Sequence, residues 1–581
     1  MEKRAILAII LTVAIIFAWS LFQSKFFPQT PEKEVKKEQV APVEKGVEKE
    51  IDKGIDLKES QKEEKRLAKK KVVVKKEVSI ETQNYWAVFT SEDARLKHFK
   101  LKKYEDRVNE SPITIKLVQF VQSILGKKEE EPRKPGPLDL VNTSEAEGLP
   151  LGLAFVGSPP FPSDEHWEVE KDQLRLLSTA EKGEITFVKS LENGLKISKR
   201  YGFASEQNTI DLEVEVQNTS SKEITLQMGL EWIGKVELEK LADDSNKDMG
   251  LKYAFLKNNK VETKDMGGTG SSGCTPGCTS QKRKLDPFES SDKGDIKWYA
   301  FIGEYFTALV IPPPEEKNVT LSVQGNEKNL LRAKIIPSQF SISPQKSVKI
   351  PYRIYLGPKE INQLKTLGAD AEKLVDFGFF TIVAKPLLWF LKLTNTVTKN
   401  FGIDIILLSI LIKIIFLPLT QISMKSMKEM QKVQPEMNRL KETYKDDKAR
   451  IQQEIMLLYK RRKINPMSGC LPMLIQIPVF IALYNALQNA IEMRHAPFFM
   501  WILDLSAKDP LYISPIVMGV TMVIQQKMTP TAADPTQAKL FLLMPVMFTF
   551  LFLSFPSGLV LYWLVNNVLS ISHQYYLNKK P

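Results

Sequence analysis

Residues Ile403–Leu419 read IDIILLSILIKIIFLPL, and this stretch decides the architecture. Coiled as a helix, it is only just long enough to cross a bilayer core of ~30 Å. Four more apolar runs follow it, at about Cys470–Leu487, Ile513–Met528, Leu540–Phe555 and Leu559–Tyr575. Between the first two lies Gln421–Gly469, which carries Lys425, Lys428, Lys432, Arg439, Lys441, Arg450 and the cluster Lys460-Arg461-Arg462-Lys463. Basic loops stay in the cytoplasm, so this one is expected inside. Lys527 and Lys539 flank the next inner loop, and Lys579 and Lys580 end the chain on the same side. Phe555-Pro556-Ser557-Gly558 has the residues of a tight outer turn.

Moving toward the N-terminus, Ala369–Leu393 mixes Phe, Leu, Ile and Trp with Lys373, Asp376, Lys385 and Lys392. It is too charged to span and too apolar to be free, which places it in the membrane interface. From Val78 to Leu356 the pattern is different. Ile210, Leu212, Val214 and Val216 alternate with polar residues, as do Ile224, Leu226, Met228 and Leu230, and later Val348, Ile350, Tyr352, Ile354 and Leu356. Period two with frequent Gly, Pro and Asn turns reads as half-buried strands of a large antiparallel β-sandwich. Residues 25–77 are Lys/Glu-rich with few aromatics and form a charged linker. Before them, Ala5–Phe22 has no charged residue and follows Met1-Glu2-Lys3-Arg4. That length suits an uncleaved signal anchor, a cleaved signal peptide being the alternative.

The expected fold is therefore an α-helical polytopic membrane protein of six transmembrane helices, five of them in one bundle, with a large antiparallel β-sandwich on the periplasmic side. Its parts are an anchor at 1–24, a linker at 25–77, the β-domain at 78–358, an interfacial amphipathic helix at 359–400 and the bundle at 401–581, which includes a cytoplasmic helical hairpin at 421–469. Both termini lie inside. The 81 Lys and Arg against 69 Asp and Glu give a formal charge of +12. The basic residues sit beside apolar spans and not on an aromatic-studded soluble face, so they point to the bilayer and not to nucleic acid. Three cysteines exclude a disulfide framework. Cys274 and Cys278, in a Gly/Ser/Thr-rich loop, leave a short disulfide, two free thiols or a weak metal site open.

No catalytic constellation is legible. His98, His166, His495 and His573 lack metal-ligand spacing. Gly229-Leu-Glu-Trp-Ile-Gly234-Lys235 imitates a phosphate loop, but Val236 replaces the Ser or Thr, and the segment continues a strand pattern where a helix should open. No catalytic residue, metal or other cofactor is expected, and an intramembrane protease lacks its nucleophile or paired acids. A channel is the remaining rival; it would need a continuous polar path, whereas Phe498-Phe499-Met500-Trp501 reads as a sealed outer end.

The spans do contain polarity. Lys413 lies inside the second span of the whole chain; Gln476, Asn485, Gln488 and Asn489 lie in the third; Gln525 and Gln526 in the fourth; Asn566, Asn567, Ser570 and His573 in the sixth. Such residues serve helix–helix hydrogen bonding at about 1 kcal/mol or less per contact, or they line a hydrated cavity. Their number, together with a lysine, favours the cavity, with Lys413 facing Asn485, Gln488 or Ser409. Snorkelling of Lys413 to the inner interface is the alternative. In the hairpin, Met424, Met427, Met430, Val433, Met437 and Leu440 follow helical spacing, Lys445-Asp446-Asp447 interrupts, and Ile451, Ile455 and Leu458 form a second stripe. The stripes can pack on each other, and methionines also suit varied apolar partners. Lys460, Arg461 and Arg462 add a basic face that suits anionic lipid.

These residues carry a resemblance. Gly357-Pro358-Lys359-Glu360, Val375-Asp376-Phe377-Gly378, Leu417-Pro418-Leu419-Thr420, Asn465-Pro466-Met467-Ser468-Gly469-Cys470-Leu471-Pro472, Gln476-Ile477-Pro478-Val479-Phe480 and Phe555-Pro556-Ser557-Gly558-Leu559-Val560-Leu561-Tyr562-Trp563 resemble the YidC/Oxa/Albino insertase family. The β-domain resembles its Gram-negative form more loosely, through Lys199, Tyr201, Phe203, Trp298 and Tyr305-Phe306. The resemblance implies a bundle enclosing a hydrophilic groove open to cytoplasm and lipid, with Trp563 among its lining. Nascent membrane proteins would be inserted and helped to fold there, alone or beside the Sec translocon, without nucleotide. One departure is Lys413, where the family usually has Arg; the charge is kept and the bidentate fork is lost. Relatives with long basic tails use them on ribosomes, so Asn578-Lys579-Lys580-Pro581 implies only weak ribosome contact.

Overall fold

Ile210, Leu212, Val214 and Val216 share one face of the strand Thr209–Asn218 because side chains alternate across a strand. They pair with Ile354, Tyr352, Ile350 and Val348 of Ser347–Pro358 on one side, and with Phe203, Tyr201, Lys199 and Ile197 of Leu195–Ala204 on the other. These three strands sit within a nine-stranded sheet ordered Lys260–Asp265, Lys252–Lys257, Ile296–Ile302, Phe306–Ile311, Ser347–Pro358, Thr209–Asn218, Leu195–Ala204, Lys182–Ser190 and Glu168–Val169. The computed structural model describes residues 75–108, 112–124, 134–156, 166–191, 193–236, 252–265, 287–445, 447–462, 464, 471–528 and 535–579. The expected anchor, the linker up to residue 74, the loop holding Cys274 and Cys278, and Cys470 lie outside the described residues.

Two further sheets cover the first. One runs Phe288–Gly294, Val319–Gly325, Leu330–Ile336, Ile224–Lys235 and Phe340–Ile342, with Gly152–Val156 also paired to Ile224–Lys235. The other runs Pro137–Asp139, Arg95–Glu105, Tyr85–Thr90, Glu77–Thr82 and Gln173–Leu176. The last pair of that sheet is parallel, a departure from the antiparallel expectation, and the β-domain is three sheets and not a two-layer sandwich. Inward-facing residues of all three, such as Phe89, Phe187, Tyr201, Leu230 and Leu321, merge into one core. The phosphate-loop imitation is strand: Gly229 lies so close to the Ile335 main chain that a Cβ would collide with its carbonyl oxygen, which accounts for glycine there. Lys199 is fully buried, and its ammonium donates to the carbonyl oxygens of Asp93 at 2.8 Å, Ala94 at 3.1 Å and Leu151 at 2.8 Å. Burial pushes its pKa well below the usual lysine range, with Arg95 adding to the effect and Asp93 opposing it.

Ten helices are described: α1 (Pro112–Ile124), α2 (Ile361–Thr366), α3 (Thr381–Thr398), α4 (Phe401–Lys432), α5 (Gln434–Thr443), α6 (Lys448–Arg462), α7 (Leu471–Asn489), α8 (Ile513–Met528), α9 (Pro535–Phe552) and α10 (Ser557–Lys579). Helix α1 falls inside the β-domain, where only strands and turns were expected. The segment 359–400 is not one interfacial helix. Gly368 and Gly378, at φ of 71° and 72°, turn the chain on either side of a short 3₁₀ turn, Ala371–Leu374. Leu364, Leu367, Ala371 and Leu374 pack on Trp298 and Tyr355 of the β-domain. Only α3 is exposed on an apolar face, through Ile382, Trp389, Leu393 and Val397, while Ala384 and Leu391 face inward.

Helices stand at all five apolar runs after residue 400. Among the described residues, α4 alone is both long and apolar enough to cross a membrane by length and composition. Its inner face joins α3, α7 and α10 through Leu391, Ile405, Leu408, Ile412, Leu483, Leu487, Leu559 and Tyr562. Met518, Phe552 and Val560 link α8, α9 and α10. The outer surface is apolar too: Ile414, Ile415, Ile516, Val520, Phe550 and Val568 are exposed. A bundle that is apolar inside and out suits a hydrocarbon surround.

Candidate functional site

Helix α4 begins at a defined cap. The Asn400 side chain accepts hydrogen bonds from the amides of Gly402 (2.9 Å) and Ile403 (3.2 Å), and its own amide donates to the Phe498 carbonyl oxygen at 3.0 Å. One turn in, the buried carboxylate of Asp404 accepts from Asn395 Nδ2 (2.8 Å) and Thr398 Oγ1 (2.7 Å), which ties α3 to α4. The helix then continues without a break through Pro418 to Lys432. The span and the first arm of the expected hairpin are thus one element, since neither Pro418 nor the polar residues after Thr420 interrupt it.

Twelve residues into α4, Lys413 is half-buried and donates from Nζ to Ser570 Oγ of α10 at 2.6 Å. Ser570 in turn donates to the Asn566 carbonyl oxygen at 2.7 Å, and Asn566 Nδ2 donates to the Tyr562 carbonyl oxygen at 2.9 Å. The Tyr562 hydroxyl accepts from Gln476 Nε2 of α7. His573 lies in the last turns of α10, with a buried Nδ1 that has no hydrogen-bond partner among the described residues. On the far side of α10, Asn567 Nδ2 donates to Thr521 Oγ1 of α8 at 3.2 Å, and Gln574 Nε2 reaches the Met528 carbonyl oxygen at 2.5 Å. Polar groups of α4, α7 and α10 therefore form one row inside an apolar bundle, and a separate set joins α10 to α8.

Several expected members are elsewhere. Ser409 is fully buried and donates to the Ile405 carbonyl oxygen at 2.7 Å, one turn back on its own helix, so it packs and does not line the cluster. Asn485 donates to the Phe377 carbonyl oxygen at 2.9 Å, and Gln488 donates to the Tyr484 hydroxyl at 2.6 Å. Neither pairs with Lys413, and the helix geometry explains this. Phe498, just beyond the end of α7, meets Gly402 at the start of α4, so the two helices are antiparallel. Lys413 is about 18 Å from the start of α4, and Asn485 only about 6 Å from the matching end of α7. Gln476, near the other end of α7, is level with the cluster. Trp563 packs among Phe480, Phe548 and Phe552 at ring distances of 5.2, 6.1 and 5.3 Å, on the side of α7 and α9. Gln525 is half-buried on α8.

The hairpin closes on itself. Val433, Met437, Leu458 and Ile464 are buried together, with Met430, Leu440, Ile455 and Tyr459 packed around them. Met427 is buried and Met424 half-buried, so much of the methionine stripe is already in contact. Lys460, Arg461 and Arg462 are exposed, with Arg462 paired to Glu436 at 2.5 Å. The break between the arms falls at Tyr444–Lys445, as the charge interruption implied. Sequence reasoning missed the outer fastenings. Asp509, nearly buried, accepts from the amides of Leu511 (2.9 Å) and Ser514 (2.7 Å) at the start of α8. Lys359 approaches Asn489 Oδ1 at 3.5 Å, Arg494 lies over the Phe306 ring at 5.3 Å, and Ile491 is buried in the β-domain core, so the end of α7 docks on that domain. Among the described residues no three His, Cys, Asp or Glu side chains group as a metal site.

Residues 392–581 match the family model described as the 60Kd inner membrane protein, and residues 119–390 match that of the YidC periplasmic domain. A protein of Syntrophus aciditrophicus (strain SB) named membrane protein insertase YidC is 39% identical over 590 residues, covering 100% of both chains. One of the same name from Geotalea daltonii is 37% identical over 582 residues, covering 100% of this chain and 99% of that one. A solved structure titled as an active YidC insertase with the first transmembrane domain resolved aligns at 18% identity and a TM-score of 0.35, over 87% of this chain and 93% of that one.

Proposed function

The chain belongs to the YidC family of membrane protein insertases, and we propose that the cluster around Lys413 is where it receives the hydrophilic part of a client. The observation that carries this reading is the Lys413–Ser570 hydrogen bond: an ammonium held inside an apolar bundle, in line with Asn566 and Gln476. A lysine there is unfavourable for insertion by about 3 kcal/mol, a cost that polar neighbours and water lower. A site of that kind attracts acidic or polar client residues and releases them once apolar residues reach lipid.

On this reading the chain has six spans with both termini in the cytoplasm, and the β-domain lies in the periplasm. The exposed apolar face of α3 rests in the outer interface. The groove opens to cytoplasm and lipid, and the hairpin, through its methionines and Lys460-Arg461-Arg462, makes first contact with the client. The protein works alone or beside the Sec translocon, with weak ribosome contact, and uses no nucleotide, metal or covalent step. The test is purified full-length protein in liposomes, with a small membrane protein supplied as client and no nucleotide present. Insertion above that of empty liposomes is expected; insertion that needs added nucleotide would overturn the nucleotide-free reading.

A further inference from the structure

The strand Arg95–Glu105 ends against the bundle. Tyr104 stands edge-on to Phe306 at 5.1 Å, and Arg494, between α7 and α8, lies over the same ring at 5.3 Å. Burial raises the Tyr104 pKa, and the carboxylates of Glu360 and Glu492 add to it. Glu492 is in turn ion-paired at 2.6 Å to Lys392 of α3. Burial and Arg494 hold the His495 imidazole down at about 4, against the pull of the Asp106 carboxylate. The end of this strand therefore lies where the β-domain, α3 and the outer end of α7 meet.

Helix α1 is inserted at that corner. The chain leaves and returns through one clasp: the Asp106 amide donates to the Gly136 carbonyl oxygen at 2.8 Å, and the Gly136 amide donates to Asp106 Oδ1 at 2.7 Å. Helix α1 starts at Pro112, six residues after Asp106, and so within about 20 Å of it. Leu117 and Phe120 lie one turn apart on the same side, and they are 43% and 63% exposed. Ile113 and Ile124 recur at the same spacing. Left in water, each large apolar side chain forgoes about 1.5–3 kcal/mol of burial.

The neighbourhood sets what covers this side. Phe499 and Met500, a few residues beyond Arg494, are exposed as well, and so are Ile382, Trp389, Leu393 and Val397 on α3. A lipid surface covers all three groups at once, whereas a protein partner would have to fit three separate elements. Lys116, the one charged residue of α1, is exposed one turn before Phe120. An apolar side with a lysine at its flank suits a helix lying among head groups, its ammonium reaching up to phosphate. We infer that α1 lies in the outer leaflet of the bilayer beside α3, with phospholipid as its ligand, and gives the β-domain a second attachment to the membrane. The inference rests on the membrane placement proposed above.

The test is full-length protein carrying benzoylphenylalanine at Phe120, at Trp389 or at Ser347, reconstituted in vesicles of phosphatidylethanolamine and phosphatidylglycerol. After irradiation the adducts are read by mass spectrometry. Phospholipid adducts are expected at Phe120 and Trp389. None is expected at Ser347, at the far end of the strand Ser347–Pro358 and roughly 36 Å from the junction. Leu117→Asp should cut the Phe120 adduct by about tenfold, as one leucine leaves an apolar contact. A Phe120 adduct to protein in place of lipid, an adduct unchanged in Leu117→Asp, or equal lipid adducts at Phe120 and Ser347 would overturn the inference. Lipid at Trp389 without lipid at Phe120 would overturn it alone; lipid at neither would overturn the proposed membrane placement with it.

Discussion

Lys428 of α4 donates a hydrogen bond of 2.9 Å to the main-chain oxygen of Leu577, in the last turn of α10. The last carbonyl groups of a helix have no partner within it, and a cation there also meets the negative end of the helix dipole. With the Lys413–Ser570 bond fifteen residues earlier, α4 is fastened to α10 twice. The second fastening lies four residues before α4 ends, at the root of the hairpin.

Lys428→Met should therefore loosen the hairpin without unfolding the bundle. The loss is about 1–2 kcal/mol, as for a hydrogen bond from a charged donor. Amide hydrogen exchange across residues 434–462 is expected to quicken by about tenfold, and Lys428→Arg should restore most of the protection. Exchange that does not change in Lys428→Met would show that the hairpin is held by its own packing alone.

For Lys413 the order of effect is the test. Lys413→Arg should retain insertion, Lys413→Ala should impair clients with acidic translocated tails, and Lys413→Glu should be worst. The comparison must be made on correctly inserted protein, since the span's own insertion energy changes by up to about 3 kcal/mol. Full activity of Lys413→Glu toward acidic-tailed clients would remove the ammonium from the mechanism.

Lys199→Met leaves the carbonyl oxygens of Asp93 and Leu151 without their ammonium donor, while that of Ala94 keeps the Tyr201 hydroxyl at 2.7 Å. At about 1–3 kcal/mol for each unsatisfied group, a destabilisation of at least ~2 kcal/mol is expected. Trp167 lies 5.3 Å from the ammonium, so thermal unfolding followed by tryptophan fluorescence reports the site directly. A Tm that stays in place would mean that the loops bearing Asp93 and Leu151 rearrange around the apolar side chain.

Burial lowers the pKa of Lys359 to about 8 from 10.5, with Glu304 acting in the opposite direction. Between those two pH values the unfolded chain holds more protons than the folded one, so the junction with α7 is stabilised as pH rises through that window. Below it both states are protonated and the penalty is constant, at about 3 kcal/mol over the full shift. Lys359→Met should lower the slope of stability against pH between 8 and 10.5 by the share of one group, with buried Lys199 still contributing its own; an unaltered slope would assign the titration to another group.

Period-two alternation placed the strands around Ile210 and Ile354, and apolar length placed α8 at Ile513–Met528, because both patterns express local geometry. Helix α1 was hidden by its Val, Ile and Thr content, although Ile113, Leu117, Phe120 and Ile124 recur at helical spacing. Lys413 and Ser570 were both visible as polar residues within apolar runs, yet their pairing across 157 positions depends on how α4 and α10 meet, which neither segment encodes alone. Asp404 had a legible signal that went unused: an acid one turn inside an apolar helix, with Thr398 and Asn395 just upstream to satisfy it. The docking of Ile491 and Arg494 on the β-domain had none.

The strand Ser347–Pro358 stands at the centre of the nine-stranded sheet, with four strands on either side, and it is the last β-strand among the described residues. Until the ribosome has made residue 358, that sheet exists only as two halves whose open edges are Thr209–Asn218 and Phe306–Ile311. Helix α4 begins 43 residues later, at Phe401, a matter of seconds at translation rates of about 5–20 residues per second. Completion of the nine-stranded sheet thus waits on the delivery of this one strand, which lies just upstream of the bundle. A pause or truncation just short of residue 347 would leave two sticky half-sheets, and such unpaired edges are where a nascent chain aggregates.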